Sequence, residues 1–448
     1  MLRIYLSLIG LLSLLAISGL TSCKKPVFFS NGNLSFSKDT IVFDTVFTTI
    51  GSTTKNFKFY NNDNKTVIVE QIELMGGAAS PFRINVDGLS GISHTDIEIE
   101  GNDSLFVFVE VTLDVNASVN PMVIEDSIRF RTNGVDQFIV LTVWGQDAYF
   151  HYHDLNTGIW PNDKPHVIYD YAGIDSSQML TVQANTQIYM HKDALFLVYK
   201  GTLNIEGTLG NEVTIQGDRL EAEYDDISGQ FYGLYFQEAK SSKINYCKIK
   251  NGTSGIHVIG DNPENLGYTV TISNSEITNC ARYGAVIFSG ARVEAENCIL
   301  AKNELHALAV FQGDFNFNHC HLVGYSSAGS QTPAVGISNV GYDLTTGNYY
   351  YGSINEGTIT NSIIYGDLEQ ELFLDTLYPG TGLTHNFDFH YNLIRSETIQ
   401  TGPEFDDNFN IWNEDPLFVS PLTGDFLYYS SSPMHEAGSS SFQNNIPE

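Results

Sequence analysis

The sequence predicts an all-β protein in which an N-terminal β-sandwich is followed by a parallel β-helix. Residues 34–148 alternate apolar and polar residues in about seven short runs that turn-forming residues interrupt, a pattern typical of half-buried antiparallel strands. Residues 179–440 repeat a short strand motif with a base period of 22–23 residues, which is typical of stacked solenoid coils. Neither region shows the periodicity of amphipathic helices.

The predicted sandwich contains turns such as Asn61-Asn62-Asp63-Asn64, whose residue types favour tight turns. Its order of segments, FDTVFTTIGSTTKNFKFYNND, then SPFRIN, then IRFRTNGVDQFIVLTVWGQ, resembles the immunoglobulin-like modules of the ASPM/SPD-2/Hydin type. That resemblance implies a binding or spacer module. No cluster of acids, bases or metal ligands stands out in this region.

The repeat of the second domain has a small or polar residue at its second position and Ile or Leu at its fourth. Successive second positions lie 28, 23, 22, 42 and 30 residues apart, so the surplus over the base period falls in loops. Because one coil cannot bury its inner face alone, equivalent positions are expected to stack into ladders. Asn251, Asn279 and Asn303 are expected to form a second ladder at a corner. The six segments are Tyr246-Cys247-Lys248-Ile249, Asn274-Ser275-Glu276-Ile277, Asn297-Cys298-Ile299-Leu300, His319-Cys320-His321-Leu322, Asn361-Ser362-Ile363-Ile364 and Tyr391-Asn392-Leu393-Ile394.

Two stretches of this domain resemble known proteins. ALFLVYKGTLNIEGTLGNEVTIQGDR resembles the entry coils of right-handed, pectate-lyase-like β-helices. DPLFVSPLTGDFLYYSSSPMHEAGS is similar to an ending common in bacterial β-helix repeat proteins, with Met434-His435-Glu436 in place of the usual Ala-Ile-Asp. The resemblance implies a right-handed parallel β-helix. The ending is specific to the family and does not indicate an activity.

The first residues predict export. Residues 1–22 contain one basic residue, Arg3, before an apolar run, as in a signal peptide. The following Cys23 stands where the lipobox of bacterial lipoproteins places its lipidated cysteine. We therefore expect a lipoprotein of the cell envelope, in the outer membrane of a gram-negative bacterium, on either its periplasmic or its outer side. Residues 23–33 form the expected tether, 149–178 an expected connector, and 441–448 an expected tail.

The chain has 22 Lys and Arg against 52 Asp and Glu, a net charge of −30. This balance argues against nucleic acid as a partner, since nucleic-acid binding requires basic patches. A glycan or a protein partner remains open, and the membrane is expected to be reached through the lipid anchor alone. No cofactor and no metal site is predicted; Ca²⁺ is compatible with the charge, but no motif indicates it.

His319-Cys320-His321 is the stretch that most resembles a metal or nucleophile site. In a strand, however, neighbouring side chains point to opposite faces. Cys320 falls in the predicted inward ladder, so the two histidines are expected to face outward, away from the thiol. A disulfide with Cys298, one coil away, remains open, because a ladder brings cysteines close without fixing the bonding geometry.

The sequence does not show the motifs of known carbohydrate-active β-helices. It lacks the Gly-His-Gly and Arg-Ile-Lys of polygalacturonase-like enzymes, and no Asp or Glu column recurs in the repeat. The best polar constellation occupies equivalent corners of adjacent coils, where solvated residues are the alternative to a catalytic site. The weak catalytic candidates are Arg282, Tyr283, Glu304 and His306.

Three insertions exceed the base period, at 261–268, 341–358 and 378–386. All three insertions follow a similar position within their coils, so we expect them to lie together along one edge of the β-helix. Tyrosine rings in such loops suit a sugar or a protein partner, although they could also pack on their own coils. The predicted ligand-binding residues are Tyr342, Tyr349, Tyr350, Tyr351 and Tyr378.

These observations favour a non-enzymatic envelope protein whose β-helix presents loops to a glycan or a protein. Two alternatives remain. The first is a polysaccharide lyase or glycosidase of unrecognised type, which only the habits of the fold suggest. The second is a passive spacer in the envelope.

Overall fold

The computed structural model describes residues 33–48, 51–114, 122–326, 329, 332–342, 347, 349–376, 382–405 and 409–442. These residues form two compact units that divide after Gln146. Their secondary structure is almost entirely β, as the sequence predicts. Short 3-10 helices span Gly77–Ala79, Ala222–Tyr224, Pro421–Thr423 and Ser440–Phe442.

The first unit contains two five-stranded sheets. Their orders are β1-β3-β8-β5-β6 and β2-β10-β9-β4-β7. All neighbours are antiparallel except β2 and β10, which run parallel. The strands are β1 (Ser35–Phe36), β2 (Thr40–Phe47), β3 (Lys55–Tyr60), β4 (Val67–Leu74), β5 (Phe82–Val86), β6 (Leu89–Gly91), β7 (Ser93–Ile99), β8 (Ser104–Val111), β9 (Met122–Thr132) and β10 (Val135–Gln146).

The two sheets share one core. Phe130 of the second sheet lies with its ring centroid 6.1 Å from that of Phe57 and 5.2 Å from that of Phe59, both in the first sheet. Phe43 and Phe82 make a similar contact at 5.9 Å. Because alternate residues of each strand point inward, two sheets that face each other bury their apolar positions together. The unit is therefore a β-sandwich.

The second unit is a solenoid of parallel strands in three columns. The strands are, in order, β11 (Tyr149–Leu155), β12 (Gly158–Trp160), β13 (His166–Ile174), β14 (Met179–Gln183), β15 (Gln187–Met190), β16 (Leu195–Tyr199), β17 (Thr202–Glu206), β18 (Val213–Gly217), β19 (Gly233–Gln237), β20 (Ser242–Asn245), β21 (Cys247–Lys250), β22 (Ser254–Ile259), β23 (Val270–Ser273) and β24 (Glu276–Thr278). They continue as β25 (Tyr283–Glu296), β26 (Ile299–Ala301), β27 (His306–Asn318), β28 (His321–Gly324), β29 (Val335–Ser338), β30 (Val340–Tyr342), β31 (Tyr349–Tyr351), β32 (Ile354–Thr360), β33 (Ile363–Gly366), β34 (Leu372–Asp375), β35 (His385–His390), β36 (Leu393–Ile394), β37 (Ile411–Trp412), β38 (Phe418–Ser420) and β39 (Asp425–Tyr428).

Each coil contributes one strand to each column. The first column runs through β16, β19, β22, the start of β25, the start of β27, β29 and β34. The second runs through β14, β17, β20, β23, the ends of β25 and β27, β32 and β35. The third runs through β15, β18, β21, β24, β26, β28, β33 and β36.

The solenoid begins earlier than the sequence predicts. Residues 149–178 are expected to form a connector, but β11, β12 and β13 pair in parallel with the coils that follow. This stretch lacks the Cys, Ser or Asn ladder of the repeat, so its sequence gives no sign of a coil. Stacking of Trp160 on Phe196, with ring centroids 5.2 Å apart, ties it to the solenoid core instead.

The inner ladder forms as predicted. Its six residues are buried, and side-chain oxygens of one coil accept backbone N–H groups of the coil before. The Ser275 hydroxyl accepts from Cys247 N at 3.1 Å, and the Ser362 hydroxyl accepts from Cys320 N at 2.9 Å. The ladder consists of Cys247, Ser275, Cys298, Cys320, Ser362 and Asn392.

The residue before each ladder position adopts a left-handed conformation. The φ values lie between 46° and 57° for Tyr246, Asn274, Asn297, His319, Asn361 and Tyr391. Asn tolerates this conformation best among residues with a side chain, which explains why it occupies half of these positions. The corner is therefore built one residue before the strand, and it turns the chain between the second and third columns.

The second asparagine ladder forms in part. Asn279 donates to the Asn251 side chain at 2.8 Å, and both residues have positive φ. In the next coil the positive φ falls on Lys302 instead of Asn303. The Asn303 side chain still accepts from Cys280 N at 3.0 Å, but its buried amide nitrogen has no partner.

The C-terminal segment packs against the outer face of the third column. Phe418 of DPLF and Phe426 of GDF form a small core with Met434 and with outward residues of the column, among them Ala301 and Val323. The apolar positions of the ending thus cover an apolar strip that the solenoid leaves outside its own core.

Candidate functional site

The three insertions leave their coils at the same corner, as the sequence predicts. Each lies between a first-column and a second-column strand: 260–269 between β22 and β23, 339–353 between β29 and β32, and 376–384 between β34 and β35. Stacked coils are about 4.8 Å apart, so the described ends of the three insertions lie along one edge of the solenoid. The predicted second insertion, 341–358, extends into β32, whose residues 354–358 belong to the coil itself.

The second insertion contains an antiparallel hairpin of β30 and β31. Tyr342 pairs with Tyr349, and Tyr350 with Gly341. The side chains of Tyr349 and Tyr351 are 58% and 46% exposed, and their rings stack with centroids 6.4 Å apart. Two of the predicted ligand-binding residues therefore present aromatic surface to solvent. Tyr378 lies outside the described residues.

The edge borders the outer face of the second column, which carries hydrogen-bonding side chains on successive coils. We call this surface the second-column face. Its first row runs Thr271, Glu294, Asn316, Thr358 and Asp388. Its second row runs Ser273, Glu296, Asn318, Thr360 and His390. Asn318 and Thr360 of this row are buried, so the first row is the one that can contact a ligand.

Hydrogen bonds between coils hold the second-column face in place. Asn316 donates to the Glu294 carboxylate at 3.2 Å and accepts from the Thr358 hydroxyl at 2.7 Å. Asn318 accepts from Thr360 at 3.0 Å in the parallel row. Such side chains are fixed before any ligand arrives, which reduces the entropy lost on binding.

The first insertion reaches this face. Arg292 pairs with Asp261 of the insertion at 2.8 Å. Burial, together with the nearby Glu294 carboxyl, raises the pKa of Tyr268. Burial also raises the pKa of Glu294 itself. The repeat alignment does not reveal this face, because its rows mix Thr, Glu, Asn and Asp and so show no recurring acid.

The predicted catalytic constellation is partly assembled. Tyr283 and His306 occupy paired positions of adjacent coils, with parallel rings 6.0 Å apart. However, Nδ1 of His306 lies within hydrogen-bond distance, 2.6 Å, of the Pro333 carbonyl oxygen. Burial lowers the pKa of His306. Glu304 accepts a short hydrogen bond from Ser228. These contacts hold the corner together, and the catalytic role of the four candidates stays a prediction.

Arg282 and Tyr283 instead border a groove of about 400 Å³ on the outside of the first column. Its walls include Tyr232, Tyr235 and His257, and the rings of Tyr235 and His257 lie 4.4 Å apart. Burial lowers the pKa of His257 to about 4, so its imidazole is neutral near pH 7. The groove is distinct from the second-column face, since it lies on another column.

His319-Cys320-His321 is not a shared site. Cys320 is buried and free, and so are Cys247, Cys280 and Cys298. Burial raises the pKa of the Cys320 thiol. His319 and His321 face outward, as predicted, and both line a cavity of about 290 Å³ that the C-terminal segment closes. In that cavity the buried Nδ1 of His321 has no partner.

The first solenoid coil also contains a histidine chain that no motif in the sequence indicates. His151 lies 2.9 Å from Asp154 through Nδ1 and 2.9 Å from His166 through Nε2. Nε2 of His166 lies 3.0 Å from the Pro161 carbonyl oxygen. The Trp160 ring stacks on the imidazole rings of both His151 and His166. The chain ends at a carbonyl and contains no nucleophile, so we assign it to the packing of the first coil.

Within the described ranges, no group of three or more His, Cys, Asp or Glu side chains is placed to hold a metal ion. The helices of these ranges also lack the length and apolar character needed to cross a membrane. Residues 1–22 and Cys23 lie outside the description, so the predicted export signal and lipidation site stay predictions.

Comparisons with known proteins concern the fold. Residues 172–368 match the family described as right handed beta helix region. No curated protein matches the chain. Three solved structures illustrate how remote the structural likenesses are.

The first is a family 123 glycoside hydrolase from Clostridium perfringens, at 8% identity and a TM-score of 0.20, over 27% of this chain and 30% of that one. The second is the ASH/PapD-like domain 7 of human CEP192, at 11% identity and a TM-score of 0.19. That match covers 29% of this chain and 94% of the CEP192 domain. The third is the catalytic unit of a GH87 alpha-1,3-glucanase from Streptomyces thermodiastaticus strain HF3-3, at 9% identity and a TM-score of 0.18. That match covers 80% of this chain and 88% of the glucanase chain. At these scores, none supports an inference about function. The family match and the three strand columns together identify the second unit as a right-handed parallel β-helix.

Proposed function

We propose that this protein is a lipid-anchored protein of the cell envelope whose β-helix binds a neutral glycan along the second-column face. One observation carries the proposal. The three insertions leave their coils at one corner, and they border a face of carboxylates, amides and hydroxyls that successive coils repeat.

A glycan fits this face better than other partners. Sugar hydroxyls both donate and accept hydrogen bonds, so they match a surface on which Glu294, Asn316 and Thr358 alternate acceptors and donors. The exposed rings of Tyr349 and Tyr351 offer flat surfaces for stacking against a sugar ring. The net charge of −30 disfavours a polyanionic ligand on an acidic face.

A glycan array tests this function with the native protein and a Tyr349→Ala/Tyr351→Ala variant. We expect binding to one class of neutral glycans, and the loss of two stacking rings is expected to weaken it by roughly threefold to tenfold. Tyr152→Ala is the matched control, because Tyr152 is 66% exposed on the first coil, far along the solenoid from the hairpin. An array without any bound glycan, or equal weakening in the control, would contradict the proposal.

The anchor is a separate part of the proposal and needs its own experiment. Its support is the apolar leader followed by Cys23. Cells grown with labelled palmitate should incorporate the label into the protein, and a Cys23→Ser variant should not. Label in the variant, or none in the native protein, would rule out lipidation at this residue.

Glycan hydrolysis is a second candidate, which one observation favours. Glu294 is half-buried on the second-column face, and burial raises the pKa of its carboxyl group, as a general acid requires. Glu296 lies two residues further along the same outer face. A hydrolase would release new reducing ends from a bound neutral glycan, and Glu294→Gln would stop this release. Binding without release from the native protein would eliminate the candidate.

A further inference from the structure

The C-terminal segment, residues 415–439, packs against two histidines of the third column. His319 and His321 line the cavity of about 290 Å³ that this segment closes. The His321 ring contacts two rings of the segment, with its centroid 5.6 Å from that of Phe418 and 6.0 Å from that of Tyr428. The two histidines are therefore part of the contact that holds the segment on the solenoid.

His319 must be neutral to keep its link to the segment, which runs through the Asn361 amide. The amide oxygen accepts the Ser439 N–H at 2.8 Å, and this bond fixes the orientation of the amide. The amide nitrogen then lies 3.3 Å from Nε2 of His319. Because an amide nitrogen only donates, Nε2 must accept through its lone pair. A proton on Nε2 would set two donors against each other.

His321 is placed where a charged imidazole is disfavoured. Its Nδ1 is buried without a partner, and the residues on either side of it in the column are Ile299 and Ile363. A cation that loses water without gaining a hydrogen bond is destabilised. Accordingly, burial lowers the pKa of His321 to about 4, and it also lowers the pKa of His319.

The surrounding acids do not compensate such a charge. Among the described side chains, no carboxylate forms an ion pair with His319 or His321, although other histidines do have such partners. Tyr428 and Glu436 are the other titratable groups that line the cavity, and both belong to the segment. Glu276 occupies the outward row of His321 two coils away, at roughly 10 Å.

We propose that the C-terminal segment is an acid-released strap, which covers the third column while His319 and His321 are neutral and detaches when they take up protons. Release uncovers the apolar strip that Phe418 and Phe426 cover in the closed form. The strap is separate from the second-column face and does not depend on the function proposed for that face.

The sign of the effect follows from the two protonation states. In the released segment His321 titrates at its ordinary pKa of 6.5, whereas in the closed form it titrates at about 4. Below pH 6.5 the released form therefore takes up a proton that the closed form excludes, and the closed form loses stability. Between pH 7.5 and pH 5, His321 alone lowers the ratio of closed to released segment about thirtyfold.

Hydrogen–deuterium exchange on the full chain measures this release, because the protection of an amide, corrected for its intrinsic exchange rate, reports local opening. We expect protection in residues 415–439 to fall about thirtyfold between pH 7.5 and pH 5. Strands β17 and β18, in earlier coils, should keep their protection over the same range.

Variants assign the effect to the two histidines. His319→Asn and His321→Ile introduce residues that the fold already uses, since Asn297 occupies the equivalent corner and Ile299 the equivalent strand position. The double variant should match the native protein at pH 7.5 and change less than about threefold by pH 5. Each single replacement should remove part of the change. His435→Gln is the matched control, because His435 is an exposed histidine of the segment itself, and it should respond as the native protein does.

Three results would overturn the proposal. The first is an equal loss of protection in the native protein and the double variant. The second is higher protection of the segment at pH 5, which would show that a protonated histidine pairs with Glu436 and tightens the strap. The third is a parallel loss in β17 and β18, which would show that acid unfolds the whole solenoid and does not release the segment.

Discussion

Glu371 illustrates how a coil of this solenoid tolerates a buried acid. Its side chain is fully buried, and its two oxygens accept the backbone N–H groups of Ala334 and Leu368, each at 2.8 Å. Burial is the larger influence and raises the pKa to about 7, against the opposing effect of these two bonds. An acid whose pKa is higher in the folded than in the unfolded chain stabilises the fold at low pH. That contribution disappears as the pH rises.

Replacing Glu371 tests this assignment. The pKa of Glu371 rises from 4.5 in the unfolded chain to about 7 in the folded chain. The stability that this group contributes is therefore complete below pH 4.5 and is lost as the pH rises through 7. In Glu371→Gln this loss should vanish, a difference on the order of 3 kcal/mol in free energy of unfolding between pH 4.5 and 8. Urea unfolding at both pH values measures it. Identical pH dependence in the two proteins would contradict the assignment.

The inner ladder is the element that defines each coil. Ser362 accepts from Cys320 N at 2.9 Å and donates to the Thr360 carbonyl at 2.6 Å, all in the buried interior. Ladder positions thus need a side chain that fits the buried interior. Cys247, Cys298 and Cys320 fill this space, whereas Ser275, Ser362 and Asn392 fill it and also accept a backbone N–H group of the coil before.

Removal of one rung should be costly. Ser362→Ala leaves the buried Cys320 N–H unpaired, so the free energy of unfolding of the solenoid is expected to fall by about 1–3 kcal/mol. Ser176→Ala, at an exposed turn, is the control and should stay within about 0.5 kcal/mol of the native protein. Denaturant titration followed by circular dichroism provides the comparison. A ladder variant as stable as the control would show that the ladder bonds are not needed.

The ladder was predictable from sequence and the second-column face was not, for a physical reason. Inward positions such as Cys247 and Ser362 are restricted by size and hydrogen bonding, so they repeat visibly. Outward positions only need to be polar, and Glu294, Asn316 and Thr358 meet that need with different residues. Their alignment follows from strand register, which the 42-residue step between Cys320 and Ser362 obscures in the sequence.

The start of the solenoid was hidden for a related reason. In the first coil, aromatic stacking of His151, Trp160 and His166 replaces the ladder. The insertions, by contrast, were predictable, because excess length over a fixed period can only leave the coil at a corner. Their common corner followed from their common stage in the repeat.

The two units of the molecule have separate cores. The sandwich buries residues such as Phe57 and Phe130, and the solenoid buries another set along its axis. Each unit therefore has the apolar interior that independent folding requires. The division after Gln146 falls close to residue 148, the predicted end of the sandwich, whereas the solenoid begins before residue 179, its predicted start.

A fragment of residues 33–146 should fold by itself. Because its core is complete within these residues, we expect a β-type circular dichroism spectrum and one cooperative urea transition. Phe130→Ala removes the ring that bridges the two sheets and should lower the stability of the fragment by about 3–5 kcal/mol. A fragment that unfolds without cooperativity would show that the sandwich depends on the rest of the chain.

The central claim concerns the second-column face, and two asparagines allow it to be measured directly. Asn316 lies beside the insertions. Asn204 occupies the same row four coils earlier, and the coils between them place Lys243, Thr271 and Glu294 in that row. The measurement is the dissociation constant for the neutral glycan identified on the array, in the native protein, Asn316→Ala and Asn204→Ala. We predict a roughly fivefold to tenfold weaker constant for Asn316→Ala and no change for Asn204→Ala. Equal constants for all three proteins would contradict glycan binding at this face.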